Sequence, residues 1–210
     1  MKEYNNSTNN MVNSIVRPSN VIDQKILNIL EDISRNDFVP EKFKEFAYAD
    51  FQIPIGNNSK MLPPSIEGKI LQALDLKGDE NILKIGVGTG YMTCCLSRLC
   101  KNIHSIDISN DLIESAKKNI YKYDETENIT FEHIDIKEKW EMINIYDVVV
   151  MTSYISDETV LVNNLKEYSK AFLFTGFPKQ PIKKAILIKK FKKNSLTKNI
   201  LFETDAEPLL

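Results

Sequence analysis

The chain of 210 residues carries a formal charge of −2, with 42% hydrophobic and 27% charged residues, the composition of an ordinary globular protein. That length suits one α/β domain with a small extension and would leave two separate domains cramped. A charge so close to balance gives no general pull toward nucleic acid or an anionic membrane, so any partner must be argued from a site.

The polar opening MKEYNNSTNN lacks the apolar segment of a secretory signal, and no apolar run approaches the ~20 residues that cross a bilayer. The expected compartment is the cytoplasm, with no membrane partner. Residues 1–10 read as a disordered tail, since Asn, Ser and Thr supply little to bury. Residues 11–80 read as a helical cap packed on the same domain. There VIDQKILNIL sets Val21, Ile22, Ile26, Leu27, Ile29 and Leu30 on a helical stripe, and RNDFVPEKFKEFAYADFQIPIG breaks at its prolines into short helix and loop. PPSIEGKILQALDL opens with prolines suited to a helix N-terminus and carries Ile66, Ile70, Leu71 and Leu74 on one face. No sheet is expected in this cap.

Residues 81–210 read as an α/β core. Strands in NILKIGV, NIHSIDI, NITFEHID and YDVVVMT alternate with helices through MTCCLSRLC and DLIESAKKNI, a βαβ pattern that predicts a parallel sheet with helices on both faces. A helix near DETVLVNNLKEY, a strand in KAFLFTGF and a hairpin of KKAILIKKF with NILFET complete it, giving an antiparallel edge. The lysines of that hairpin read as those of a soluble edge strand rather than a phosphate-binding patch. Cys94, Cys95 and Cys100 lack metal-ligand spacing and read as buried thiols. His104 and His133 read as strand residues, and no metal is expected.

Between the first core strand and its helix lie Gly86, Gly88 and Gly90 in ILKIGVGTGY. Glycines at a strand-to-helix turn let backbone approach a ligand and aim free amides at it. Asp107, at the end of the next strand, can accept hydrogen bonds from a ribose diol. The spacing G-x-G-x-G differs from the G-x-G-x-x-G that seats a dinucleotide pyrophosphate, so a sulfonium nucleoside fits better than NAD. Asp135 in EHIDIK could reach an adenine amine in the same crevice.

Together these residues resemble the protein-L-isoaspartate O-methyltransferase family, which uses S-adenosylmethionine to methylate the α-carboxyl of isoaspartyl residues. NDFVPEKFKEFAYADFQIPIG is similar to the family's FVP…AYAD…PIG cap, ILKIGVGTGY to its cofactor loop, IHSIDIS to its ribose acid and IDIKEKW to its GDG…GW stretch. The resemblance implies a doubly wound, seven-stranded, mostly parallel sheet. It implies S-adenosylmethionine as cofactor, with S-adenosylhomocysteine as product. Gly86, Val87, Gly88 and Gly90 would surround the methionine part, Asp107 the ribose, and Ile108 and Asp135 the adenine. Ile85, Thr89, Tyr91 and Ile136 complete the cofactor-binding set. The acceptor would be a protein or peptide.

Three departures bear on activity. The family's T-I-S-x-P segment, whose serine is taken as catalytic, aligns with KMLPP, so Lys60, Met61 and Leu62 replace the threonine, isoleucine and serine while Pro64 keeps the proline. Ser59 and Ser65 are out of register, and no catalytic residue is assigned. Lys84 stands where the family commonly has glutamate, and Ile134 and Ile136 replace the glycines beside Asp135. Three readings stay open: an isoaspartyl methyltransferase weakened on that acceptor, a methyltransferase of the same fold with another acceptor, and a nucleoside-binding protein without turnover. Nucleic-acid methylation is not expected, because VVVMTSYISD lacks the D/N-P-P-Y/F segment of base-amino enzymes. The oligomeric state is not legible.

Overall fold

The computed structural model describes residues 2–123, 126–192 and 195–209. Helix α1 (Lys2–Met11) passes into a π-helical turn (Val12–Val16) and a 3-10 turn (Arg17–Ser19) that ends at left-handed Asn20. The segment expected as a tail is therefore helix. Its C-terminal part is held because Thr8 and Met11 are buried and the following Val12 and Val16 enter the core, so the polar N-terminal composition is outweighed by what succeeds it.

Helix α2 (Gln24–Asp32) starts where Asp23 accepts a hydrogen bond from Lys25 N, and its buried face is Ile26, Leu27, Ile29 and Leu30. After two 3-10 turns (Arg35–Asp37 and Glu41–Phe46) comes an element absent from the sequence reading, a hairpin of β1 (Ile53–Gly56) and β2 (Ser59–Met61). Asn57 and Asn58 turn it with φ of 49° and 53°, the left-handed pair that a tight hairpin needs and that Asn tolerates. Helix α3 (Pro64–Leu74) begins on its proline, as expected.

The core follows the predicted alternation: β3 (Asn81–Ile85), α4 (Tyr91–Ser97), β4 (Asn102–Asp107), α5 (Asn110–Ile120), β5 (Ile129–His133), β6 (Val148–Ile155), α6 (Thr159–Asn164), β7 (Ser169–Thr175), β8 (Ile182–Lys192) and β9 (Ser195–Asp205). The strands form one seven-stranded sheet, β5-β4-β3-β6-β7-β8-β9, parallel through β7 and antiparallel from β7 to β9. Central strands buried on both faces read as the continuous runs Ile82–Ile85 and Val148–Met151.

Two lysines of the final hairpin, Lys183 and Lys190, behave differently from the expectation, while Lys184, Lys189 and Lys192 are exposed. Strand β8 lies inside the sheet and β9 is its edge. Lys183 is buried, donates to the carbonyls of Phe177 and Gln180 and sits over the Tyr154 ring, while Lys190 donates to Val162 O and Leu165 O. These ammonium groups satisfy loop carbonyls. The turn at residues 193–194 lies outside the described residues. Cys94, Cys95 and Cys100 are buried free thiols with pKa values raised by burial. No helix among the described residues is long and apolar enough to cross a membrane.

Candidate functional site at the carboxyl ends of the strands

Strands β3 and β6 are adjacent, and the sheet grows outward from them in opposite directions, toward β4 and toward β7. Loops leaving their carboxyl ends diverge, which opens a crevice there in any doubly wound sheet. A cleft of about 780 Å³, counting the solvent space at its mouth, occupies that position.

The three glycines do not share one task. Gly86 (φ 81°) and Gly88 (φ 59°) line the cleft, and a Cβ built on them would meet only Ser153 Oγ at 3.9 Å and Ile55 Cδ1 at 3.6 Å. Both leave an open cradle that a side chain would fill. Gly90 (φ 89°) faces the other way, with a Cβ falling 3.0 Å from Ala116 Cβ and 3.2 Å from Ala116 Cα, so it permits α4 to pack on α5.

Four residues of the cofactor-binding set therefore shape the loop from behind instead of lining the cleft. Val87 packs its side chain on Ile113 and Ala116. Thr89 is buried and its carbonyl accepts from Asn119 Nδ2 at 3.0 Å. Gly90 is spent on the helix contact. Tyr91 is buried in the core, edge-on to Phe38 and beneath the Arg35 guanidinium.

Asp107 holds the loop and faces the cleft. Its Oδ2 accepts from Val87 N at 2.7 Å and its Oδ1 from Ser109 N at 2.9 Å; each oxygen keeps a further lone pair for a ligand hydroxyl. Ile106, Ile108, Ile134 and Ile136 form an apolar slot between Asp107 and Asp135. Ile108 is 42% exposed, apolar surface left uncovered beside the slot. Asp135 is oriented by accepting from Lys137 N at 2.9 Å. Ile85 closes the floor. His104 contacts Tyr146 and Glu132, and His133 Nε2 donates to Ile108 O at 2.8 Å; neither ring lines the cleft.

Lys84 lies beneath this floor, 1% exposed. Its Nζ donates to Gly86 O at 2.5 Å, Thr152 Oγ1 at 3.0 Å and Ile85 O at 3.3 Å. Burial pushes its ammonium down to about 8, against the opposing pull of Asp107 and Glu67.

The opposite wall comes from the cap. Leu62 points into the cleft and is only 8% exposed. Its backbone is pinned by Arg35, whose Nη2 donates to Leu62 O at 3.0 Å, whose Nε donates to Ala47 O at 2.9 Å and whose Nη1 pairs with buried Glu67. Burial raises Glu67 to about 7 although Arg35 opposes the shift. Lys60 lines the mouth and pairs with Glu207 at 2.5 Å. Met61 is packed into the core and Pro64 starts α3, so neither lines the cleft, and of the residues replacing the family's T-I-S segment Lys60 and Leu62 do.

Several wall residues escaped the sequence reading. Thr152 and Ser153 sit in an irregularity of β6, where the register against β7 shifts between Val150 and Tyr154; such bulges re-aim side chains beside sites. Their signal was their place at the end of a central strand. Gln52 and Ser59 come from the unforeseen hairpin region. Glu207, Pro208 and Leu209 arrive by backbone pairing with Tyr154, which no local pattern announces.

Comparison with known proteins agrees with this architecture. The family model for Protein-L-isoaspartate(D-aspartate) O-methyltransferase matches residues 6–199. Two proteins named Protein-L-isoaspartate O-methyltransferase are similar to the chain. The one from Dictyoglomus turgidum is 35% identical over 74% of this chain and 69% of its own length. The one from Myxococcus xanthus is 32% identical over 73% of each. A solved beta-aspartate methyltransferase from Plasmodium falciparum, in complex with S-adenosyl-L-homocysteine, superposes with a TM-score of 0.79 at 17% identity over 97% of this chain and 98% of its own. A second structure, named as a protein-L-isoaspartate O-methyltransferase, gives 0.78 at 22% identity over 95% of this chain and 65% of its own. At those identities the structures speak for the fold, that of class I methyltransferases. With its family match spanning nearly the whole chain, the protein belongs to the protein-L-isoaspartate O-methyltransferase family.

Proposed function

We propose that the cleft binds S-adenosylmethionine and that the protein transfers its methyl group to a carboxylate of a protein or peptide, with isoaspartyl turnover weakened at Leu62. The observation that carries the reading is the open cradle at Gly86 and Gly88 beside Asp107, continued by the isoleucine slot that ends at Asp135. A nucleoside with a short zwitterionic tail matches that sequence of surfaces: backbone for the tail, a carboxylate for the ribose, apolar walls for the base. Ile108 supplies uncovered apolar area for the adenine, and Asp135 an acceptor for its amine.

The bound cofactor supplies an electrophilic methyl carbon, to which a carboxylate oxygen bonds as the carbon–sulfur bond breaks and a thioether leaves. A carboxylate is already ionised at pH 7, so the site needs no general base, consistent with both histidines standing apart from the cleft. The chain's contribution is orientation and exclusion of water. The family serine's hydroxyl is missing at this wall, since leucine offers none. The same leucine favours a second reading, a methyltransferase with a less polar acceptor.

Calorimetric titration with S-adenosylmethionine and with NAD, followed by label transfer to an isoaspartyl peptide, tests the reading. Binding of S-adenosylmethionine and slow transfer are expected. Preferential binding of NAD would remove it, and cofactor binding with transfer only to another acceptor would favour the second reading.

A further inference from the structure

We infer that Lys60 receives the acceptor: its ammonium leaves Glu207 to hold the acceptor's carboxylate at the mouth of the cleft, and returns to Glu207 once that carboxylate has become an ester. This rests on the methyltransferase reading above and deepens it, naming the residue that selects an anionic acceptor.

Extended backbone places the side chain. Strand β2 ends at Met61, and the residues on either side of it, Lys60 and Leu62, line the cleft while Met61 packs into the core, the alternation that strand geometry imposes. Lys60 is thus the next side chain along the wall from Leu62. It brings a donor and a charge to a wall that leucine leaves without either.

Charge sets Lys60 apart. Among the described residues lining the cleft it is the only cationic side chain, against the carboxylates of Asp107, Asp135 and Glu207. Asp205 adds a further negative charge near it. Lys84 lies beneath the floor, its ammonium bound to Gly86 O, Thr152 Oγ1 and Ile85 O. Without Lys60, an anionic acceptor would meet only like charge from the lining side chains.

Its present partner can be exchanged. The Lys60 and Glu207 side chains are 40% and 37% exposed, and pairs so open to water contribute little to stability. Glu207, once released, is hydrated where it stands. Its backbone does not depend on the pair, because Glu207 O accepts from Tyr154 N at 2.8 Å and Leu209 N donates to Tyr154 O at 3.0 Å. Glu207 is therefore a resident carboxylate on the group that would bind the acceptor's, a built-in competitor. Lys60 and Glu207 also line an adjoining groove with Pro40, Lys42 and Asn58, room for the chain that carries the acceptor carboxylate.

Methyl transfer reverses the exchange. One carboxylate oxygen rests on the ammonium while the other bonds to the methyl carbon; the carbon–sulfur bond breaks and its electron pair stays on sulfur. The negative charge of the carboxylate and the positive charge of the sulfonium disappear together, leaving a neutral ester and a thioether. The ester no longer attracts Lys60, so Glu207 takes it back and the methylated product is released.

Calorimetry on the protein saturated with S-adenosylhomocysteine, which carries no sulfonium charge, tests this. The probes are one isoaspartyl peptide with blocked termini, its α-carboxyl free, amidated or methyl-esterified. The wild type should bind the free carboxylate roughly 5- to 10-fold more tightly than the two neutral forms. Lys60→Met should abolish that preference and Lys60→Arg keep it. Glu207→Gln should tighten the free carboxylate alone, by removing its competitor. Label transfer on the same variants should place the loss in Lys60→Met in KM rather than kcat, because the ammonium binds a charge that the reaction removes. Equal wild-type affinity for the three peptides, a preference that survives Lys60→Met, or a loss confined to kcat overturns the inference. Binding of none of the peptides overturns it too, while leaving the nucleoside site intact; failure of the nucleoside to bind overturns the proposed function together with it.

Discussion

Leu62 is where residue chemistry bears most directly on turnover. Its carbonyl is anchored by buried Arg35, so the backbone at this wall is fixed whatever side chain stands there. Leu62→Ser should therefore place a hydroxyl in the cleft without moving the loop. A hydrogen bond to a charged group contributes about 1.5–3 kcal/mol, so transfer to an isoaspartyl peptide should rise by roughly 10- to 100-fold, measured side by side with the wild type. An unchanged rate would show that the hydroxyl is not what limits this chain. Lys84 makes a separate statement about stability. Its folded pKa of about 8 lies below the ordinary 10.5, so below pH 8 the native state carries a charge that burial disfavours, and the unfolded chain binds the proton more readily between 8 and 10.5. Stability should accordingly rise with pH across that window by up to ~3 kcal/mol relative to Lys84→Met. Parallel pH profiles for the two proteins in denaturant melts would refute it.

Among the elements, the glycine loop separates two requirements that look identical in sequence. Gly90→Ala would combine a left-handed φ of 89° with a Cβ 3.2 Å from the Ala116 backbone, strain and overpacking together worth about 2–4 kcal/mol. Gly88→Ala meets nothing closer than 3.6 Å and should cost only about 1 kcal/mol of stability, while filling the ligand's cradle. Chemical denaturation and nucleoside calorimetry on the pair should give opposite rankings; a Gly88 variant that binds normally would reduce the loop to a plain turn. The sheet itself was legible because central strands are long apolar runs and its helices carry apolar stripes, signals that survive without context. The hairpin β1–β2 was not, since three- and four-residue strands containing Pro54 carry no periodicity, and only Asn57–Asn58 hinted at the turn. The same limit applied to Gly90, Tyr91 and Met61. Whether such a residue faces a ligand or the core depends on partners in α5 and the cap, which spacing along the chain cannot show.

For the whole molecule, cap and sheet form one structural unit with a common interior. One apolar cluster joins Met11, Leu27 and Phe38 of the cap to Leu96, Ile103 and Phe172 of the core, and Tyr123, after α5, bonds Asp37 and Ser34 across the same boundary. The cap also supplies Leu62 to the cleft and the Arg35 that holds it. A ligand seated between glycine loop and cap loop should therefore stabilise both halves together. With S-adenosylhomocysteine at about 100 times its dissociation constant, linkage gives ~2.7 kcal/mol, and a chain of this size should melt roughly 5–10 °C higher. Far-UV dichroism and the fluorescence of Trp140 should report that shift in a single coincident transition. Hydrogen exchange provides the sharper test, because amides of α2 in the cap and of β4 in the sheet should gain protection by the same factor. If α2 opened at lower cost and ignored the ligand, the cap would be an independent unit, and the position of Leu62 in the cleft could not control the acceptor.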